Sequence, residues 1–167
     1  MGAVRVNGST SGYVELAAPA VAGSTALTLP LGGFGKVLQV VRATDATNRT
    51  ITSNVVADAS ISVTISPTLA TSNILVIWTC QIQPTNADYT ILLITNSSNT
   101  ALSGAEFNYY GGSQSGAYFT TTNIGYSSPA TTSATTYKGR FRSNTSVLST
   151  INNANTTGVL YAIELGI

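Results

Sequence analysis

Ile61-Ser-Val-Thr-Ile-Ser66 alternates aliphatic residues with hydroxyl residues throughout its length. A period of two places Ile61, Val63 and Ile65 on one face of an extended strand. Similar runs, separated by turn residues, predict further strands at 36–43, 50–56, 74–82, 89–95, 100–107, 117–122, 135–142, 146–151 and 159–165. No segment has the apolar stripe and caps of a helix. The sequence therefore predicts an all-β fold, an antiparallel two-sheet β-sandwich that is jelly-roll-like.

Two segments, 74–82 and 89–95, are apolar on both faces. Strands of this kind lie in the middle of a sheet, so we expect one face to pack on the core and the other against something else. Because only a short loop at 84–88 joins them, we expect the two to form an antiparallel pair. Trp78, in the middle of the first, is expected in the core.

The first 35 residues differ from the rest, because their apolar pieces are short and are separated by Gly, Ser and Pro. Gly32-Gly-Phe-Gly35 then supplies a flexible joint. We interpret 1–35 as an extended N-terminal arm and 36–167 as the sandwich domain. The arm needs another surface to bury its apolar side chains, and its candidate contact residues are Tyr13, Val14, Leu16, Leu27 and Leu29.

Composition argues against catalysis in this chain of 167 residues, which has a net charge of +1, no histidine and one cysteine. Without histidine there is no Ser-His-Asp triad and no His-ligated zinc. A lone cysteine excludes an internal disulfide, and Cys80 lies in an apolar strand where a thiol is buried and inert. The six carboxylates are scattered. We therefore predict no enzyme, no cofactor and no metal.

Two classes of partner are also disfavoured. Charged residues are only 8% of the chain, too few for the basic footprint of a nucleic-acid binder. The longest apolar run, at 74–78, is far shorter than the ~20 residues of a membrane helix. The N-terminus has no hydrophobic signal-peptide core, so we expect synthesis in the cytoplasm without nucleic-acid or membrane partners.

A cationic row is the first candidate surface. In a strand, Lys138, Arg140 and Arg142 share one face, while Tyr137, Gly139 and Phe141 share the other. The row could contact acidic groups on a larger protein shell, a neighbouring subunit or an anionic glycan. The alternative is a solvated strand face that discourages edge pairing.

A glycine-rich stretch at 107–119, which contains five aromatic residues, is the second candidate surface. Tyrosines among Gly and Ser suit adaptable recognition of a sugar or protein, with Tyr109, Tyr110 and Tyr118 as candidate recognition residues. The alternative, which we favour, is that strand-end tyrosines close the sandwich over an ordinary hairpin.

Several segments resemble virion proteins of tailed phages, cyanophages especially. Gly8-Ser-Thr-Ser-Gly-Tyr-Val-Glu-Leu-Ala-Ala-Pro-Ala-Val-Ala-Gly-Ser-Thr-Ala-Leu-Thr-Leu-Pro30 is similar to a segment that precedes a small β-domain in those proteins. The rest is similar to that domain at Lys36-Val-Leu-Gln-Val-Val41, Ser66-Pro67, Ser128-Pro-Ala-Thr-Thr-Ser-Ala-Thr-Thr-Tyr-Lys138 and Tyr161-Ala-Ile-Glu-Leu-Gly166. The resemblance implies a non-enzymatic virion component, usually a homotrimer, of a kind found in head decoration and in tail fibres.

Together these features predict a capsid decoration, or cement, protein. It would form a homotrimer on the virion head and clamp neighbouring subunits of the major capsid protein through its arm. The alternative is a tail-fibre or spike tip that recognises host surface glycans through the tyrosine-rich loop. The chain is short beside fibre-like members and has no long shaft, which favours the head.

Overall fold

A computed structural model describes residues 3–7, 13–17, 36–84, 88–110 and 117–166. Every regular element in these ranges is a β-strand. The chain divides into two compact units, Met1–Leu31 and Gly32–Ile167. In the first unit, β1 (Ala3–Asn7) and β2 (Tyr13–Ala17) form an antiparallel ladder from Ala3 opposite Ala17 to Asn7 opposite Tyr13.

The second unit holds ten strands, all paired in antiparallel ladders. They are β3 (Val37–Asp45), β4 (Asn48–Ile51), β5 (Ala57–Ile65), β6 (Asn73–Pro84), β7 (Tyr89–Asn96), β8 (Ala101–Tyr110), β9 (Phe119–Ser127), β10 (Thr135–Ser143), β11 (Ser149–Asn152) and β12 (Gly158–Leu165). The ladders form a four-stranded sheet, β5-β10-β7-β8, and a six-stranded sheet, β3-β12-β6-β11-β4, with β9 also paired to β6.

The six-stranded sheet is only four strands wide. β12 and β11 pair with successive parts of β6, while β3 and β4 pair with β12 and β11 in turn. β3 with β4, and β11 with β12, each count as one broken strand. With the eight resulting strands numbered along the chain, the six-stranded sheet has the order 1-8-3-6 and the four-stranded sheet has the order 2-7-4-5. These are the orders of a jelly roll. The structure thus confirms the predicted antiparallel sandwich.

The core lies between the two sheets and follows the period-two patterns. Ile61, Val63 and Ile65 are buried, as their alternation predicts. Trp78 is fully buried, and its indole ring packs against Gly139, where a Cβ atom would stand 2.9 Å from the ring. Glycine is required here because the indole occupies the space of a side chain.

The predicted pairing of segments 74–82 and 89–95 is wrong. β6 and β7 are both interior strands, as expected, but β6 pairs with β12, β11 and β9, while β7 pairs with β10 and β8. The chain crosses from one sheet to the other between them, so that each strand buries an apolar face in the same core. A short loop permits a crossing between sheets as well as a hairpin.

Several strand boundaries also differ from the prediction, and three of them have a clear physical reason. β4 ends at Ile51 because the chain turns at Ser53, whose Oγ accepts a hydrogen bond from Val55 N–H. β11 begins only at Ser149, after a turn in which Ser146 adopts a positive φ of 63°. β9 runs to Ser127, beyond the predicted end at residue 122, because it stays paired with β6 throughout.

Candidate assembly surfaces

The cationic row lies on the outer face of the four-stranded sheet, in β10. Cross-strand register places Lys138 opposite Thr95, Arg140 opposite Leu93 and Arg142 opposite Ile91. All three of these β7 residues are buried even though they share the outer face. Long Lys and Arg side chains can cover apolar neighbours with their stems while their charged ends reach polar groups. The side chains of the cationic row therefore cover the outer face of β7.

The charged ends of the row have acceptors within the chain. Lys138 Nζ donates to Ser97 O at 3.1 Å and Asn99 Oδ1 at 3.2 Å. Arg140 Nη2 donates to Val56 O at 3.0 Å, and Arg142 Nη2 lies 3.1 Å from Glu106 Oε1. A capsid or glycan partner would have to compete with these contacts. Contact of the row with a partner stays a prediction.

The described parts of the stretch 107–119, at 107–110 and 117–119, lie at the edge where β8 and β9 close the sandwich. Tyr109 is half-buried and donates from its hydroxyl to Asn123 Oδ1 at 2.8 Å. Asn123 is fully buried and donates in turn to Leu92 O at 3.1 Å. The three residues join β8, β9 and β7, so Tyr109 acts as a clamp between the sheets. Burial raises the pKa of its hydroxyl.

The other candidate recognition residues are placed differently. Tyr118 is 53% exposed, and the neighbouring Phe119 and the ring of Phe107 are exposed as well. Phe107 and Tyr109 have ring centroids 6.5 Å apart. Tyr110 pairs with Tyr89 through the backbone, and its side chain lies outside the described residues, as does the whole of segment 111–116.

The candidate contact residues of the arm lie in the first unit. Tyr13, Val14 and Leu16 belong to β2, opposite β1. Their side chains lie outside the described residues, as do Leu27 and Leu29 entirely. The arm contacts therefore stay a prediction.

The outer face of the six-stranded sheet is a surface of which the sequence analysis anticipated only the part on segment 74–82. Cross-strand register aligns its outward residues in rows that run across β3, β12, β6 and β9. One row holds Val40, Ile163, Leu75 and Tyr126, and the next holds Arg42, Tyr161, Ile77 and Ile124. We call these two rows the apolar face.

Polar residues border the apolar face on one side. The next row holds Thr44, Val159, Thr79 and Thr122, and the hydroxyls of Thr79 and Thr122 are 3.1 Å apart. Within the apolar face, Val40, Ile124 and Tyr126 are each about half exposed, at 56%, 51% and 48%. The sequence indicates this surface at segments 74–82 and 159–165, because in each segment both faces of the strand carry apolar side chains.

A buried carboxylate connects three of the segments that carry the phage resemblance. Glu164 of β12 is fully buried and accepts hydrogen bonds from Gln39 Nε2 at 2.6 Å and from the N–H and hydroxyl of Thr68, each at 2.7 Å. Gln39 Nε2 also donates to Ser66 O at 2.6 Å. Burial by itself would raise the pKa of Glu164, but these donors outweigh it and lower the pKa to about 2. We call this set the Glu164 cluster.

Cys80, the one cysteine of the sequence, is free and buried. Burial raises the pKa of the Cys80 thiol to about 12, which agrees with the predicted inert cysteine. No three His, Cys, Asp or Glu residues within the described ranges come together to hold a metal ion. In the same ranges, no helix is long and apolar enough to cross a membrane.

Comparison with known proteins does not assign the chain to a family. No protein-family model matches it, and no curated protein matches it significantly.

Proposed function

We propose that the chain is a non-enzymatic structural protein of a phage virion, a homotrimeric decoration protein that clamps subunits of the major capsid protein. The observation that carries the proposal is the separate N-terminal unit with its small hairpin. β1 and β2 are five residues each and form a two-stranded sheet of their own. A two-stranded hairpin is marginally stable in water and needs packing against further structure.

The jelly roll supplies the second half of the mechanism. Its two sheets enclose a continuous apolar core, so the second unit can serve as a stable head to which the arm is attached. Fixing the arm against a capsid costs conformational entropy, which makes the net affinity of one copy modest. Three arms on one trimer would raise the avidity without any new type of contact.

The phage assignment rests on the resemblance of the sequence segments. Three of these segments meet in one place in the fold, because Gln39 Nε2 donates to both Ser66 O and Glu164 Oε2.

The test removes the arm and measures capsid binding. We expect a chain lacking residues 1–30 to fold, with Trp78 still buried by fluorescence, and to lose binding to capsids that lack the protein. In the full chain, Leu16→Asp should weaken binding strongly, while Val55→Asp serves as the matched control, because Val55 is 71% exposed and lies outside the arm and the cationic row. Undiminished decoration by the truncated chain would overturn the clamping mechanism.

The tail-tip alternative has one observation in its favour, namely the exposed rings of Phe107, Tyr118 and Phe119 beside segment 111–116. Exposed aromatic rings provide large contact areas for a partner. If Tyr118→Ala abolished binding of the trimer to host cells, the alternative would replace the decoration role. Tyr109 is a poor candidate there because its hydroxyl is engaged with Asn123.

A further inference from the structure

We propose that the apolar face is the surface through which copies of this chain associate, turned toward the symmetry axis of the homotrimer. The inference rests on the proposed function for the number of copies, and it adds the residues that make the contact. Seven of the eight residues in the two rows are aliphatic or tyrosine, and Arg42 is the eighth.

The apolar face is large enough to form the centre of a contact between copies. Its two rows, across four strand positions about 4.8 Å apart, cover roughly 250 Å² of flat sheet, and the threonine row brings the area to roughly 400 Å² before side-chain relief is included. Contiguous apolar patches on monomers rarely exceed a few hundred Å², and a stable interface takes about 800 Å² from each partner. The apolar face would therefore form the core of an interface and the threonine row part of its polar rim.

Charge favours a copy of the same chain as the occupant. A face rich in one sign of charge would repel its own copy, but the apolar face brings only Arg42 from each chain. Interfaces between permanently associated identical subunits are the more apolar class, whereas transient contacts are about as polar as the rest of the surface. The apolar composition of this face thus matches self-association.

The burial pattern agrees with this assignment. The inward residues of β6 and β12, such as Ile74, Trp78 and Leu160, are fully buried in the core. The outward Ile77 and Tyr161 are only half-buried, because their neighbours across the sheet cover part of their surface. Within the described chain, Val40 on the edge strand β3 and Ile124 on the edge strand β9 remain exposed, and a second copy would cover them.

The experiment measures the mass of the purified full chain by analytical ultracentrifugation over a range of concentrations. We expect a wild-type mass three times the chain's 17.2 kDa. Ile124→Asp and Val40→Asp introduce a charge on opposite edges of the apolar face at exposed positions, so the fold should persist, as checked by β-sheet circular dichroism. Each should weaken association at least a hundredfold and leave a folded monomer.

Val55→Asp is the matched control, because Val55 is 71% exposed and lies outside the apolar face. It should leave the trimer intact. If the wild type is a trimer and both Ile124→Asp and Val40→Asp keep the mass of a trimer, this interface is wrong and the proposed trimer is unaffected. A wild-type monomer at all concentrations would overturn both. Capsid binding through the arm is measured separately, so its loss does not bear on the interface.

Discussion

Glu164→Gln tests how the Glu164 cluster stabilises the jelly roll. The carboxylate is fully buried and accepts bonds from Thr68 N–H, the Thr68 hydroxyl and Gln39. Its pKa falls from the usual 4.5 to about 2. Each tenfold difference in proton affinity corresponds to about 1.4 kcal/mol, so the charged form contributes about 3 kcal/mol to folding near neutral pH.

The replacement keeps the size of the side chain but removes the charge. One of the two oxygens becomes an NH₂ group, which would face donors such as Thr68 N–H instead of accepting from them. Hydrogen bonds to a charged group contribute about 1.5–3 kcal/mol, more than neutral ones. We therefore expect the free energy of unfolding to fall by about 2–3 kcal/mol near pH 7.

The effect should depend on pH in a defined direction. Because the pKa of Glu164 is lower in the folded chain than in the unfolded chain, the stabilisation is complete above pH 4.5 and is lost as the pH falls through about 2. The stability difference between wild type and Glu164→Gln should therefore narrow between pH 4.5 and pH 2.

Urea unfolding followed by the fluorescence of Trp78 measures both effects at one protein concentration. Glu106→Gln is the control, because the Glu106 side chain is 45% exposed and its pair with Arg142 is a surface contact worth less than about 1 kcal/mol. The reasoning is refuted if Glu164→Gln costs no more than Glu106→Gln near pH 7, or if its cost is unchanged near pH 2.

Two further predictions concern the core. Gly139→Ala should lower the free energy of unfolding by about 1–3 kcal/mol and shift the fluorescence emission of Trp78, because the new Cβ would stand 2.8 Å from Ile61 and 2.9 Å from the indole. Wild-type stability of this variant in urea unfolding would contradict the packing. Cys80 should resist a thiol reagent at pH 8 in the folded chain and react once unfolded, because burial raises its pKa to about 12; rapid labelling of the folded chain would show that the thiol is accessible.

The sequence predicted the strands but not all of their partners. Alternation at 61–65 identifies a strand and its buried face, because side chains on a strand point to opposite sides. It does not say which strands pair. The loop after β6 crosses between the sheets, and only the ladders of β6 with β12 and β9 distinguish this crossing from the predicted hairpin.

The apolar face shows a second limit. In β12, Tyr161 and Ile163 point outward while Glu164 points into the core, which is the reverse of what side-chain polarity alone suggests. The reversal is stable because Thr68 and Gln39 supply donors to the carboxylate. Those residues lie far away in sequence, so a pattern within one strand could not reveal them.

The cationic row lies on one face of its strand, as the sequence predicts, but the contacts of its charged ends were not predicted. The alternation in β10 separates Lys138, Arg140 and Arg142 from the buried Tyr137 and Phe141, as predicted. The acceptors of the three cations, however, come from other strands and loops. Their chemistry depends on tertiary contacts, which the local pattern does not contain.

The most direct test of the proposed decoration role is immunogold labelling of intact virions with an antibody against this chain. If the proposal is right, the label is distributed over the head. Label confined to the end of the tail would contradict it and would make the exposed aromatic residues around Tyr118 the site of function.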